Sequence, residues 1–397
     1  MDCLLADVFA ARSGGAVSDV RMVVPPPGVG AVAGAPPPGS AKATYGEDFA
    51  FHIDTANFTV QWNDPAVEAD RAEALSAQLE AAWEVLIGGE GWPAPVSSDR
   101  YRIWVVLDPE LGASGYTTTY ASAAYPEGYP VIYLDPGYEE ADRPDYALSV
   151  AVHEFGHAVQ FGIRAWEVDL AESWYWEASA EWMAERGAPD LDMYALSTWW
   201  YAADPAVAFD SPDPGHVYGM VLLNAWLEAA VSGDAFARAW WEHDGAPWEE
   251  VLAGVAERPF SEVIAGMSGA YAAEGLRESA IYTPPTYAPV EAAGVEDVRG
   301  RLGTFYYAVP EGVGPIEVTG EVVATYAVPG GAWGPEIPDG AYRMAVTTLN
   351  GDGSFAYAPV TAEAPAACGC ASGRPVGWGW LAGAVIIRAR RARAAPR

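Results

Sequence analysis

The chain has 397 residues, half of them apolar, and a formal net charge of −33. Such a chain can bury a full core without disulfide help. Its acidity argues against nucleic acid or an anionic lipid surface as the partner of the folded body. The three cysteines, Cys3, Cys368 and Cys370, lie near the two ends. No disulfide framework and no thiol chemistry is therefore expected in the body.

Residues 1–45 are rich in Ala, Gly, Val and Pro and include "VVPPPGVGAVAGAPPPGS", which reads as linker or disorder. The opening "MDCLLADVFAARSGG" lacks the basic and long apolar regions of a signal peptide, so export would use another route or a different start. Order is expected from about Phe49. "NFTVQWN" (Asn57–Asn63) predicts a strand. "PAVEADRAEALSAQLEAAWEVLI" (Pro65–Ile87) predicts a helix, with Asp64 as N-cap and Pro65 at the first position. "YRIWVVLD" (Tyr101–Asp108), "GYTTTYA" (Gly115–Ala121) and "PVIYLDP" (Pro130–Pro136) predict further strands. Helices are expected over Asp145–Ile163, over Leu170–Gly187 with Gly187 as the residue after the last turn, and over Gly215–Val231. "AFARAWWEH" and "FSEVIAGMSGAYAAEG" suggest more helix. From about Leu302 the texture changes to short alternating strands divided by Gly and Pro, which predicts a small all-β module.

The chemistry concentrates in "HEFGH", His153 to His157. Positions i and i+4 of a helix share a face, so both imidazoles can bind one divalent ion, and the glutamate beside the first can reach a water on that ion. With five histidines in 397 residues, fewer than about 0.01 such arrangements are expected by chance. A tetrahedral site that keeps one position for water needs a third protein ligand. The extended HExxHxxGxxH form is excluded, because Gln160 and Ile163 stand where it requires Gly and His. An acid from the following helix is the remaining choice. Glu177 lies 20 residues after His157, with Glu172 and Glu181 as rivals. Glu167, Asp169 and Glu172 read as solvated groups. The tryptophans from Trp166 to Trp182 read as core rather than as a pocket wall.

HEFGH followed at this interval by E-A-S-A-E-W resembles the gluzincin pattern of thermolysin-like and M1-type aminopeptidase-like zinc peptidases. The resemblance covers residues 57–270 in layout, and its specific motifs occupy His153–Trp182. It implies Zn2+ held by His153, His157 and Glu177, with Glu154 as the general base. Glu181 falls where the family often has an Asp that orients a ligand histidine. A Tyr or His from a later helix would stabilise the oxyanion, and "GHVYGMVLL" offers His216 and Tyr218. The exopeptidase G-A-M-E-N motif is absent. "ELGASGYTTTYA" could instead present a sheet edge to an extended peptide, which favours an endopeptidase or an enzyme of unknown preference.

After Ala371 the chain carries six arginines and no acid, which leaves the body near −39. The uncharged stretch Pro375–Ile387 is 13 residues, short of the roughly 20 that span a bilayer. The order Cys-Gly-Cys, apolar stretch, Arg cluster resembles the MYXO-CTERM sorting tail of exported myxobacterial proteins. That resemblance implies a sorting protease acting at Cys368 or Cys370. It also implies anchoring of the mature protein at the cell surface or outer membrane, with membrane contact only through the tail.

The expected architecture is thus α+β. Residues 46–290 form a zincin-like catalytic domain, with a mixed sheet on the active-site helix and a helical second half. Residues 300–362 form a small β module, and residues 365–397 the sorting tail. The expected function is zinc-dependent hydrolysis of a peptide or protein substrate. The alternatives are a catalytically weak binding or structural protein on the same scaffold, and a zinc hydrolase of small amides. The sequence leaves the oligomeric state open.

Overall fold

The computed structural model describes residues 49–119, 130–137, 145–164, 173–192, 194–211, 213–276, 279–290 and 292–360. The Ala/Gly/Pro-rich segment 1–45, the tail 365–397, and Trp166, Glu167, Asp169 and Glu172 lie outside the described residues. The chain is α+β. Among the described residues no helix is long and apolar enough to cross a membrane.

The first sheet is built from β1 (Phe51–Asp54), β2 (Phe58–Trp62), β3 (Ile103–Leu107), β4 (Gly115–Thr119) and β5 (Pro130–Leu134), in the order β1-β2-β3-β5-β4. The pairs β2/β3 and β3/β5 are parallel, whereas β1/β2 and β4/β5 are antiparallel. The strands "FTVQW" and "IWVVL" are buried along their whole length, as expected of strands covered on both faces. Ile103, Val105 and Leu107 join the main core, while Trp104 and Val106 on the opposite face join Tyr101 and Val131 in a smaller cluster. β4 closes one edge of the sheet.

Helix α1 (Ala69–Trp83) buries Ala72, Leu75, Ser76, Leu79 and Ala82, one stripe at helical spacing. It begins four residues later than the sequence suggests. Asp64 accepts from the Ala66 N–H at 2.8 Å, and the Val67 N–H returns to the Asp64 carbonyl. The Asp-Pro pair therefore makes a turn rather than a helix start. A π-turn (Glu84–Gly89) continues the helix.

Helix α2 (Tyr146–Ile163) is buried from Tyr146 to Phe161 apart from Leu148. It packs against β4 and β5, α1, and α3 (Ser173–Gly187). Gly187 ends α3 without a left-handed φ. Its role is close approach, since a Cβ there would lie 2.8 Å from Val152 Cγ1 and 3.1 Å from Ala82 Cβ. Trp174, Trp176 and Trp182 are core residues.

Then come α4 (Tyr194–Ala203), α5 (Pro214–Gly219), α6 (Val221–Ala230), α7 (Ala235–Glu242), α8 (Trp248–Ala256) and α9 (Phe260–Ala272). The single helix expected over 215–231 is two, broken at Met220 (ψ −1°). The break lets Gly219 sit against α4, where a Cβ would be 2.6 Å from Tyr201 N. Asp213 caps α5, accepting from the N–H groups of Gly215 and His216 at 3.0 and 3.3 Å.

The C-terminal strands are β6 (Ala288–Pro289), β7 (Gly294–Asp297), β8 (Thr304–Val309), β9 (Ile316–Thr319), β10 (Val322–Ala327), β11 (Trp333–Gly334), β12 (Tyr342–Thr348) and β13 (Ser354–Pro359). They form two sheets, ordered β11-β10-β12-β8-β6 and β7-β13-β9. Tyr307, Met344, Val346 and Phe355 belong to the cluster that joins these sheets, while Tyr306, Ala327 and Ala345 belong to the main core beside α9. The turn before β8 meets the loop after α4 backbone to backbone. Thr304 N–H donates to Pro205 O at 2.7 Å, and Phe209 N–H to Arg301 O at 3.2 Å. A Cβ on Gly300 would fall 2.0 Å from Ala208 N and 2.5 Å from Val207 C. Gly300→Ala is therefore expected to destabilise the fold at or above the top of the usual ~1–3 kcal/mol overpacking range. A urea unfolding midpoint equal to wild type would contradict this docking.

Candidate metal centre

α2 crosses α3 closely at Gly156. A Cβ there would lie 3.2 Å from Met183 Cβ and 3.4 Å from Ala180 Cα. This approach sets Glu177, one turn before Ala180, against the histidine face of α2. Glu177 Oε2 lies 3.3 Å from His153 Nε2 and 3.4 Å from His157 Nε2. The two imidazole rings stand edge to face, their centroids 4.7 Å apart. Among the described residues, His153, His157 and Glu177 are the His/Cys/Asp/Glu group whose donor atoms all lie within 4.8 Å of one another.

Two imidazoles and a carboxylate are a donor set that could hold a metal ion such as zinc. Zn–N and Zn–O bonds of 2.0–2.2 Å at tetrahedral angles place neighbouring donors roughly 3.3–3.5 Å apart. The two contacts fall in that range, as a direct His–carboxylate contact also would. His153 Nε2, His157 Nε2 and both Glu177 oxygens are buried without a hydrogen-bond partner among the described residues. Buried polar atoms are ordinarily paired, and a cation held by one atom from each residue would satisfy both nitrogens and one carboxylate oxygen.

Charge is shared unevenly in the metal-free protein. Burial opposes a charge on His153. The adjacent Glu177 carboxylate, with Glu181 and Glu154, outweighs it and raises the pKa to about 9. Burial likewise disfavours the Glu177 carboxylate, but His157 and His153 beside it hold its pKa down to about 2. Glu181 is pushed up to about 7 by burial, opposed by His153 and reinforced by Glu177.

Each ring is also approached on its far nitrogen. His153 Nδ1 faces Glu181 Oε1 at 3.5 Å, and His157 Nδ1 lies 2.8 Å from Gln160 Oε1. Such outer contacts fix ring orientation in metal sites. Glu181 thus comes near His153, but at a distance that makes no hydrogen bond between these two atoms. Gln160 was missed, although a lone amide three residues after His157 in an apolar helix was a readable signal.

Glu154 is fully buried and is reached from β4. Thr117 Oγ1 lies 2.7 Å from Glu154 Oε2 and 2.8 Å from the Glu154 carbonyl oxygen. The strand comes this near because residue 115 is glycine. A Cβ there would meet Val150 Cγ1 at 2.9 Å, Leu134 Cδ2 at 3.0 Å and Glu154 Cγ at 3.1 Å. No local motif announces Thr117, which is 37 residues from its partner.

The two later candidates separate. Tyr218 is fully buried, and its ring centroid is 5.8 Å from that of His153. His216 falls outside the donor group and packs on the Tyr201 ring at 5.8 Å. Burial pulls its pKa down to about 4, against the opposing charges of Asp213 and Asp204, so it is neutral at physiological pH. A cavity of about 10 Å3 borders His153, Glu154 and Glu181, with Ser114, Tyr146, Ser149 and Val150 completing its wall. That is room for one water. No protein-family model matches the chain, and no curated protein matches it.

Proposed function

We propose that the chain is a zinc-dependent hydrolase of peptide bonds with a zincin-like architecture. One observation carries the reading: the Glu177 carboxylate stands 3.3–3.4 Å from the Nε2 atoms of both histidines, with all these atoms buried and Glu154 adjacent in sequence. The mixed sheet supports it. β4 is an edge strand running beside α2, and such an edge can take up an extended peptide as one more strand.

His153, His157 and Glu177 would hold the metal. Bound zinc supplies a lowered pKa for water and polarises a carbonyl. Glu154, oriented by Thr117, accepts the proton of the attacking water and returns it to the leaving amine. Tyr218, beside His153, is the first choice to donate to the developing oxyanion. His216 is the second. The sequence features of the tail add the proposal that the mature protein acts at the cell surface.

The complete burial of the donors and the one-water cavity favour a second reading, in which the same triad is a structural metal site in a binding protein. Zinc stoichiometry together with chelator-sensitive cleavage of a mixed peptide library separates the two. Cleavage supports the hydrolase. Stoichiometric zinc without turnover, even on small amides, supports the structural site.

Zinc binding should depend on pH. In the metal-free protein His153 keeps a proton up to about pH 9, and a metal must displace it. The apparent zinc affinity is therefore expected to rise with pH, by about tenfold per unit for the one proton lost, and to level off above about 9. Competition with a chromophoric chelator across that range is the check. A flat profile would mean that zinc binding displaces no proton from His153 in that range.

A further inference from the structure

We propose that Gln160 is a positioning residue that fixes the tautomer of His157, and so selects the nitrogen that ring offers to a metal. This rests on the metal-site reading above. The argument follows the protons. Gln160 is fully buried. Its Nε2 carries two hydrogens, and two partners surround it: the Trp176 carbonyl oxygen at 3.0 Å and Ser179 Oγ at 3.0 Å. Ser179 has a single hydroxyl hydrogen, committed to the Tyr175 carbonyl at 2.5 Å or the Trp176 carbonyl at 3.2 Å. Carbonyls only accept, so Ser179 accepts from Gln160. Turning the amide over would set its oxygen against the Trp176 carbonyl. The network therefore admits one orientation, with Oε1 toward His157 Nδ1 at 2.8 Å.

An amide oxygen only accepts, so Nδ1 carries the hydrogen. A neutral imidazole with hydrogen on Nδ1 has its lone pair on Nε2. That is the atom facing Glu177. Trp176 and Ser179 flank Glu177 in sequence, so the same side chain ties the ring of one donor to the turn that carries another. His153 has no equivalent, since its Nδ1 stands 3.5 Å from a carboxylate oxygen. The two rings are thus held by unlike partners, one a short neutral amide contact and one a longer acidic contact.

The test uses the full-length protein labelled with 15N-histidine. Its five histidines keep a long-range 1H–15N spectrum tractable. At mildly alkaline pH, without metal and after zinc addition, His157 is expected to show hydrogen on Nδ1. In Gln160→Met, similar in length and only a weak acceptor through its sulfur, that preference should be largely lost. Zinc affinity, measured by chelator competition, should fall about 10–100-fold. A wild-type spectrum with no hydrogen on Nδ1 overturns the proposal. So does a folded Gln160→Met protein with an unchanged tautomer. The wild-type spectrum decides the matter even if the variant does not fold. Absence of zinc binding in the wild type would sink the metal reading, whereas the metal-free spectrum judges Gln160 by itself.

Discussion

Glu154→Gln is expected to leave zinc stoichiometry unchanged and to reduce peptide hydrolysis by about 10²–10⁴-fold, the usual contribution of a positioned general base. The substitution preserves shape. Glu154 lies beside His153, but its carboxylate is engaged by Thr117 and is not among the donors that converge with Glu177. An amide in its place can still bond to the Thr117 hydroxyl, so the fold should persist. It cannot take a proton from water. Parallel measurement of bound zinc and of kcat on a peptide substrate checks both halves. Wild-type turnover in this variant would remove Glu154 from the mechanism. Loss of zinc along with activity would mean that the carboxylate serves the metal instead.

Glu177→Ala should have the larger effect on the metal. It reduces three converging donors to two, and they remain buried. Disturbing a mere outer contact of a ligand already costs about 10–100-fold in affinity, so loss of a direct ligand is expected to exceed about 100-fold. The variant also removes the anion that holds the His153 proton. Titration with zinc against a chelator, followed by thermal unfolding with and without metal, reads both consequences. Zinc should raise the melting temperature of the wild type through preferential binding to the folded state. It should leave the variant nearly unmoved. An equal shift in both proteins would place the ion elsewhere.

How much of this could be read from residues alone depended on whether the interaction was local. Strands such as "IWVVL" and "PVIYLDP" declare themselves by composition, and they stand where expected. The histidine pair is a local pattern, and the structure brings both rings to Glu177. The errors fall where a local signal met a tertiary contact. Asp64-Pro65 looked like a helix start, but the aspartate turned back on Ala66. Gly187 looked like a left-handed cap, but its missing Cβ makes room for Val152 and Ala82. The helix expected over 215–231 breaks at Met220, where Gly219 must clear Tyr201. Thr117 and the docking of Gly300 against Ala208 are long-range meetings that no window of sequence contains. Gln160 is intermediate. Its position was legible, whereas its partners on α3 were not.

Enclosure of the three donors also governs timing. A metal ion held by His153, His157 and Glu177, all buried, would exchange with a scavenging reagent only as fast as those side chains become accessible. Inhibition by chelators should accordingly set in slowly, at a rate independent of their concentration once capture outpaces reclosure. That limiting rate would measure how often the protein breathes at this spot.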